Sequence, residues 1–118
     1  EKLYYRKDRV NFEKCDLKSE KINNRMVWCN DSTSIFYNRL TQISKKITYE
    51  KMFRNDYKYN LVITLDYNRQ KIQKNKGSAI FIHLTKNYKA TAGCIAINKN
   101  DFEILLKIIK KNTYIKIC

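Results

Sequence analysis

The two side chains best suited to chemistry in this sequence are a thiol and an imidazole. Both lie in the stretch Gly77–Ile97, GSAIFIHLTKNYKATAGCIAI. His83, the only histidine in the chain, closes one apolar run, and Cys94 stands between Gly93 and a second apolar run. Delivered by neighbouring strands, such a pair can work as a Cys–His nucleophile. The imidazole takes the thiol proton and leaves a reactive thiolate. Taken alone, the pair reads more simply as structure: cysteines often serve as small buried apolar groups, and a single histidine among apolar residues is usually a satisfied core residue. A cysteine and a distant histidine are not a signature that transfers between families.

The elements that would carry the pair follow from pattern. Ser78–Leu84 predicts a strand bearing His83, residues 85–90 a polar loop, and Gly93–Ile97 a strand bearing Cys94. Gly77 and Gly93 are the only glycines and flank the two blocks, where backbone geometry or close approach would require them. Leu61–Leu65, rich in β-branched and apolar residues, predicts a central strand. Leu3–Tyr5 reads as a strand end, and Val10–Arg25 as a loop or weak edge strand. Met26-Val27-Trp28 is a short apolar island with Trp28 as core anchor, and Asn30–Ser34 predicts a turn and the start of a short capped helix. Tyr49–Tyr57 predicts a short helix or irregular segment with Met52 and Phe53 inward. Asn98 or Asn100 is expected to cap a helix with Asp101 in its first turn and apolar positions 102, 105, 106 and 109 on one face. Asn112 would close it before a last strand at 114–117.

At 118 residues the chain suits one domain with a real core, and 43% hydrophobic and 13% aromatic content argue against disorder. No apolar run approaches the roughly 20 residues of a membrane span. The net charge of +14 raises nucleic acid as a partner. Against that, the charges are spread over nearly every segment, with no arginine-rich helix or RNA-binding aromatic motif. No nucleic-acid partner is expected, whereas any anionic polymer would be attracted at long range. The four cysteines, 15, 29, 94 and 118, include no CxxC pair, and one histidine is available, so neither a zinc site nor another metal or cofactor is expected. Cys15 and Cys29 could pair as a disulfide, although structural thiols at 15, 29 and 118 are the stronger reading.

The motif stretch resembles the L,D-transpeptidase catalytic domain, the YkuD-like family, in a short-motif branch patterned HxxxxxxxTAGC. Four ordered blocks carry the likeness. They are Gly77–His83; Thr91–Ile97 followed by Asp101; Trp28–Asp31 followed by Tyr37-Asn38-Arg39; and Met52–Asp56 followed by Tyr59-Asn60 and Asp66-Tyr67-Asn68. The resemblance extends from about Leu3 to Ile117.

What it implies is an α+β fold, mainly β with some α: a YkuD-like mixed β-sandwich with a C-terminal helix and a last strand. It implies one catalytic domain over residues 1–118 that lacks the family's first strands. The activity implied is acyl transfer on peptidoglycan stem peptides, by an L,D-transpeptidase or L,D-carboxypeptidase in the periplasm or cell envelope. Cys94 would form a thioester with His83 as general base, and the backbone N–H groups of Gly93 and Cys94 would face the oxyanion. Ser78, Thr91, Trp28, Asp31 and Arg54 are the further candidate substrate contacts. For Ser78 and Thr91 strand-end hydroxyls bonding backbone are the commoner case, as a loop carboxylate is for Asp31. The family's usual orienter of the histidine is a backbone carbonyl. Two departures stand out: Ala92 where the wider family has a histidine, and Ala96 where it has an arginine that could hold a substrate carboxylate. Arg54, Arg39 or a lysine would have to replace that cation. The competing class is a non-catalytic wall-binding or structural domain of the same fold.

Overall fold

The computed structural model describes residues 1–11, 15–74, 76–86 and 94–115. Among them are eight short strands: β1 (Lys2–Tyr5), β2 (Lys18–Lys21), β3 (Met26–Cys29), β4 (Leu40–Gln42), β5 (Tyr49–Lys51), β6 (Leu61–Thr64), β7 (Phe81–Leu84) and β8 (Ile95–Ile97). One helix, α1 (Lys99–Ile108), follows. The strands form a five-stranded sheet ordered β2-β1-β6-β7-β8 and a three-stranded sheet ordered β4-β3-β5. The large sheet is mixed, with β1–β2 and β7–β8 parallel and β1–β6 and β6–β7 antiparallel. This is the mainly β, α+β architecture that the family resemblance implies.

Side-chain alternation divides the large sheet into two differently covered faces. Leu3, Leu61, Ile63, Ile82 and Leu84 point to one side, where α1 lays down Phe102 and Leu106 and its C-cap adds Ile109. Tyr4, Val62 and Phe81 point to the other, against Trp28 and Met52 of the small-sheet layer. β6, third of five, contributes to both cores and is buried along its whole length. The helix starts as its sequence demands: the Asn98 side chain accepts from the Asp101 N–H at 2.8 Å, satisfying one of the first-turn donors.

Several expectations change. Tyr49–Lys51 is strand β5 rather than helix, because its pairing with β3 puts Glu50 opposite Trp28 and leads Met52 into the core. No helix forms after Asn30; instead the Asp31 carboxylate accepts from the Thr33 N–H and hydroxyl at 3.0 and 2.6 Å and closes a turn. The strand carrying His83 begins only at Phe81, since Ala79 has φ 56° and Gly77 φ 121°. A Cβ at Gly77 would stand 3.0 Å from the Tyr67 ring, so both its conformation and its surroundings require glycine. Asn98 rather than Asn100 caps α1, which ends at Ile108. Tyr114 and Ile115 belong to no strand, and residues 116–118 lie outside the described residues. Cys15 and Cys29 are thiols, not a disulfide: each donates to a nearby carbonyl, of Leu17 and Asp31 respectively.

The two layers are pinned together by one buried amide. Asn38, 1% exposed, accepts from Trp28 Nε1 at 2.9 Å and from the Ala79 N–H at 3.2 Å. Its Nδ2 donates to the carbonyls of Tyr67 and Asn68 at 3.2 and 2.5 Å. Its own φ is 56°, a conformation asparagine tolerates better than most residues. Asn38→Ala leaves a buried indole N–H and a buried backbone N–H without acceptors and places alanine in a left-handed conformation. The expected loss is about 3–5 kcal/mol in urea unfolding, a large part of a small domain's stability.

Candidate functional site

His83 and Cys94 reach a common face by strand register. Ile82 pairs with Ile95 and His83 with Ala96, so Cys94, one residue before β8, stands level with Phe81. Alternation then puts Cys94 on the face that carries Phe81 and His83, and its packing against the Trp28–Phe81 core agrees. One strand over and two residues along corresponds to about 8 Å between Cα atoms. The two groups do not hydrogen bond to each other. The Cys94 Sγ–H donates to the Ala79 carbonyl at 3.0 Å.

The imidazole is oriented from behind. Its Nδ1 lies 2.9 Å from the Leu84 carbonyl, which can only accept, so Nδ1 carries the proton and Nε2 keeps the lone pair. A tautomer with Nε2 unprotonated is the one a general base needs. Tyr59 meets the ring from the small-sheet side, centroids 5.7 Å apart at 62°, and also packs against Phe81 at 5.8 Å. The Tyr59 hydroxyl donates to the Glu50 carboxylate on β5. The Arg54 guanidinium lies over the Tyr59 ring, 5.1 Å from its centroid, while forming an ion pair with Asp56 at 2.6 Å. Arg54 is held in turn by Arg6, which donates to its carbonyl and stacks 3.5 Å from the centroid of Phe53.

Electrostatics keep the sulfur protonated. Burial pushes the Cys94 thiol up, the Phe81 backbone N–H pulls it partly back, and the negative charge of Glu50 pushes it up again. Burial, and then Glu50 as a charge and as a hydrogen-bond acceptor, also push Tyr59 far above the ordinary phenol range.

The remaining candidates are placed as follows. Ser78 Oγ donates to the Cys29 carbonyl at 3.0 Å and so ties the strand-end before β7 to β3. Trp28 is 2% exposed, enclosed by Phe81 at 4.9 Å and by the Arg69 guanidinium at 4.7 Å, which leaves it a core anchor with no face toward a ligand. Asp31 is engaged in its turn, and the Thr33 hydroxyl and N–H hold its carboxyl below the usual range. Arg54 alone of the candidate cations joins the His83 neighbourhood, through Tyr59; Arg39 is exposed beside β4. Thr91, Ala92 and Gly93 lie outside the described residues. His83 and Cys94 line none of the three cavities whose walls are described, at the start of α1, along residues 109–115, and between β8 and α1.

Glu50 and the role of Tyr59 were not legible as site features. No spacing rule links positions 50 and 59 to 83 and 94; only the stacking of β5 on the large sheet brings them together.

The fold is thus a two-layer β-sandwich that offers a thiol and an oriented imidazole on one sheet face. The family model of the L,D-transpeptidase catalytic domain, YkuD, matches residues 18–117, and the chain belongs to that family. No curated protein and no solved structure compared with the chain matches it.

The raised thiol and phenol have a thermodynamic sign. The folded chain keeps protons on Cys94 and Tyr59 that the unfolded chain releases near pH 8.5 and pH 10, values of about those for free cysteine and tyrosine. The associated stability is complete below those values and declines as pH rises through them. The melting temperature should fall between pH 8 and 11, with a shallower slope in Tyr59→Phe; equal slopes would place the titration elsewhere.

Proposed function

We propose that the chain acts as a single catalytic domain, a cysteine acyltransferase on peptidoglycan stem peptides at the cell envelope. Cys94 is the nucleophile and His83 the general base. The observation that carries this reading is the shared face of β7 and β8, where an imidazole fixed by the Leu84 carbonyl stands beside a thiol on the neighbouring strand.

In the first half-reaction the thiol turns from the Ala79 carbonyl, and His83 Nε2 takes its proton. The sulfur adds to the carbonyl carbon of the bond between the diaminopimelate centre and the terminal D-alanine. The resulting oxyanion needs N–H donors, for which the backbone of Gly93 and Cys94 is proposed. When it collapses, the C–N bond breaks, the imidazolium protonates the departing D-alanine, and a thioester on Cys94 remains. In the second half, an amine from another stem, or water, loses a proton to His83 and attacks the thioester. The thiolate leaves, giving a cross-link or a trimmed stem. Arg54 is the cation best placed to replace the arginine that the family has at position 96. Thr91 and Ser78 remain proposed contacts, the latter through the backbone it positions.

One observation favours a second reading, a wall-binding domain without activity: the thiol is half-buried, raised in pKa and engaged by a backbone carbonyl. Incubation with tetrapeptide-stem muropeptides separates the two. Mass spectrometry should show loss of D-alanine, abolished in Cys94→Ala and reduced by about 10²–10⁴-fold in His83→Ala. Retention on cell-wall sacculi with no lost D-alanine would support the inactive domain. Alkylation of Cys94 at neutral pH should be slower in His83→Ala than in the wild type, and an equal rate in the two would make the pair ordinary core residues.

A further inference from the structure

The large apolar side chains left exposed are not scattered evenly. Eight stand out among the described residues, and four of them, Ile104, Ile108, Tyr114 and Ile115, fall within residues 104–115. Ile104 and Ile108 lie one turn apart on α1 and are 57% and 68% exposed, while Phe102 and Leu106 bury the other side of the helix. With Ile95 and Ile97 of β8 they wall a cavity of about 410 Å³ between the sheet edge and the helix. Six isoleucines and Leu105 line it, and Asp101, in the first turn of α1, is the one charged residue in its described wall. Single exposed aliphatic residues need no explanation, but a contiguous group does.

Charge decides what can cover this group. Lys107, Lys110 and Lys111 are exposed beside it, and no carboxylate stands between Ile104 and Ile115. A second copy of a chain with net charge +14 would bring like charges together over the same face. Nucleic acid would match the lysines but would leave the isoleucines in water. A bilayer with anionic headgroups satisfies both, because the ammonium groups meet phosphates while aliphatic side chains and the Tyr114 ring enter the headgroup boundary.

We propose that the C-terminal half of α1 and the segment as far as Ile115 dock the domain on an anionic phospholipid bilayer. No helix among the described residues is long and apolar enough to cross a membrane, so the contact is interfacial. The fold gives the docking a direction. α1 covers the sheet face of Leu3, Ile63 and Ile82, whereas Cys94 packs with Phe81 on the opposite face. A domain seated on Ile104 and Ile108 therefore turns its thiol and imidazole away from the lipid. The inference uses no residue of the acyl-transfer site and stands apart from that reading.

Flotation with large unilamellar vesicles tests it. The wild type should float with an equal mixture of phosphatidylcholine and phosphatidylglycerol, less so at high salt, and not with phosphatidylcholine alone. Any basic protein adheres to anionic lipid to some degree, so the isoleucines are the discriminating arm. Ile104→Gln with Ile108→Gln keeps the net charge and changes only exposed positions, and circular dichroism checks that the fold is retained. Partition to the mixed vesicles should fall about tenfold in this variant. Joint replacement of Lys107, Lys110 and Lys111 by glutamine should also weaken it about tenfold. The charge-matched replacement of Lys45, Lys46 and Lys51, exposed in the small-sheet layer, should weaken it less. Ile35→Gln, at an 85% exposed position between β3 and β4, should bind as the wild type does. Undiminished binding of the isoleucine variant, or no binding of the wild type to mixed vesicles, overturns the proposal. A dimer in sedimentation velocity that Ile108→Gln dissolves would also overturn it, by giving this face to a second copy.

Discussion

The architecture depends on one carboxamide. Asn38, in the β3–β4 connection, sits where β3, the loop after β6 and the approach to β7 converge, and its side chain bonds to all three. The Ala79 whose N–H it accepts is also the residue whose carbonyl receives the Cys94 thiol. A buried amide with every hydrogen bond made rigidifies its surroundings far more than an apolar residue of the same size. The position of the sulfur is therefore set from the opposite sheet.

Legibility in the sequence followed the range of the interactions. The His83 strand, the strand that follows Cys94 (from Ile95, not Gly93), β6 and α1 with a cap at Asn98 or Asn100 could be read because strand and helical patterns are local. Met26–Trp28, by contrast, read only as an apolar island. The sheet order could not, since nothing local says that β2 pairs in parallel with β1 or that β5 belongs beside β3. Tyr49–Lys51 reads as a short helix or irregular segment because Glu50 and Lys51 are of types depleted in strands, and pairing with β3 decided otherwise. Trp28 and Ser78 were read as both structure and site. The structure gives each a packing or tethering role that only the second layer makes visible.

The charge distribution divides in the same way. A surplus of lysine over the whole surface gives long-range attraction for an anionic polymer without placing any single contact. Near the thiol the sign reverses, and the groups that matter are a carboxylate, a phenol and one arginine already paired. Capture and chemistry would then be served by separate electrostatic features, one broad and salt-sensitive, the other short-ranged and partly shielded.

The pairing of β1 with β6 bears on how the chain is made. Its register pairs Leu3 with Ile63, so the centre of the large sheet cannot close until residues 60 positions apart meet. Loop closure on that scale, with parallel neighbours on both flanks, favours slow folding. During synthesis the apolar segments Leu3–Tyr4 and Met26–Cys29 would wait exposed for partners not yet made.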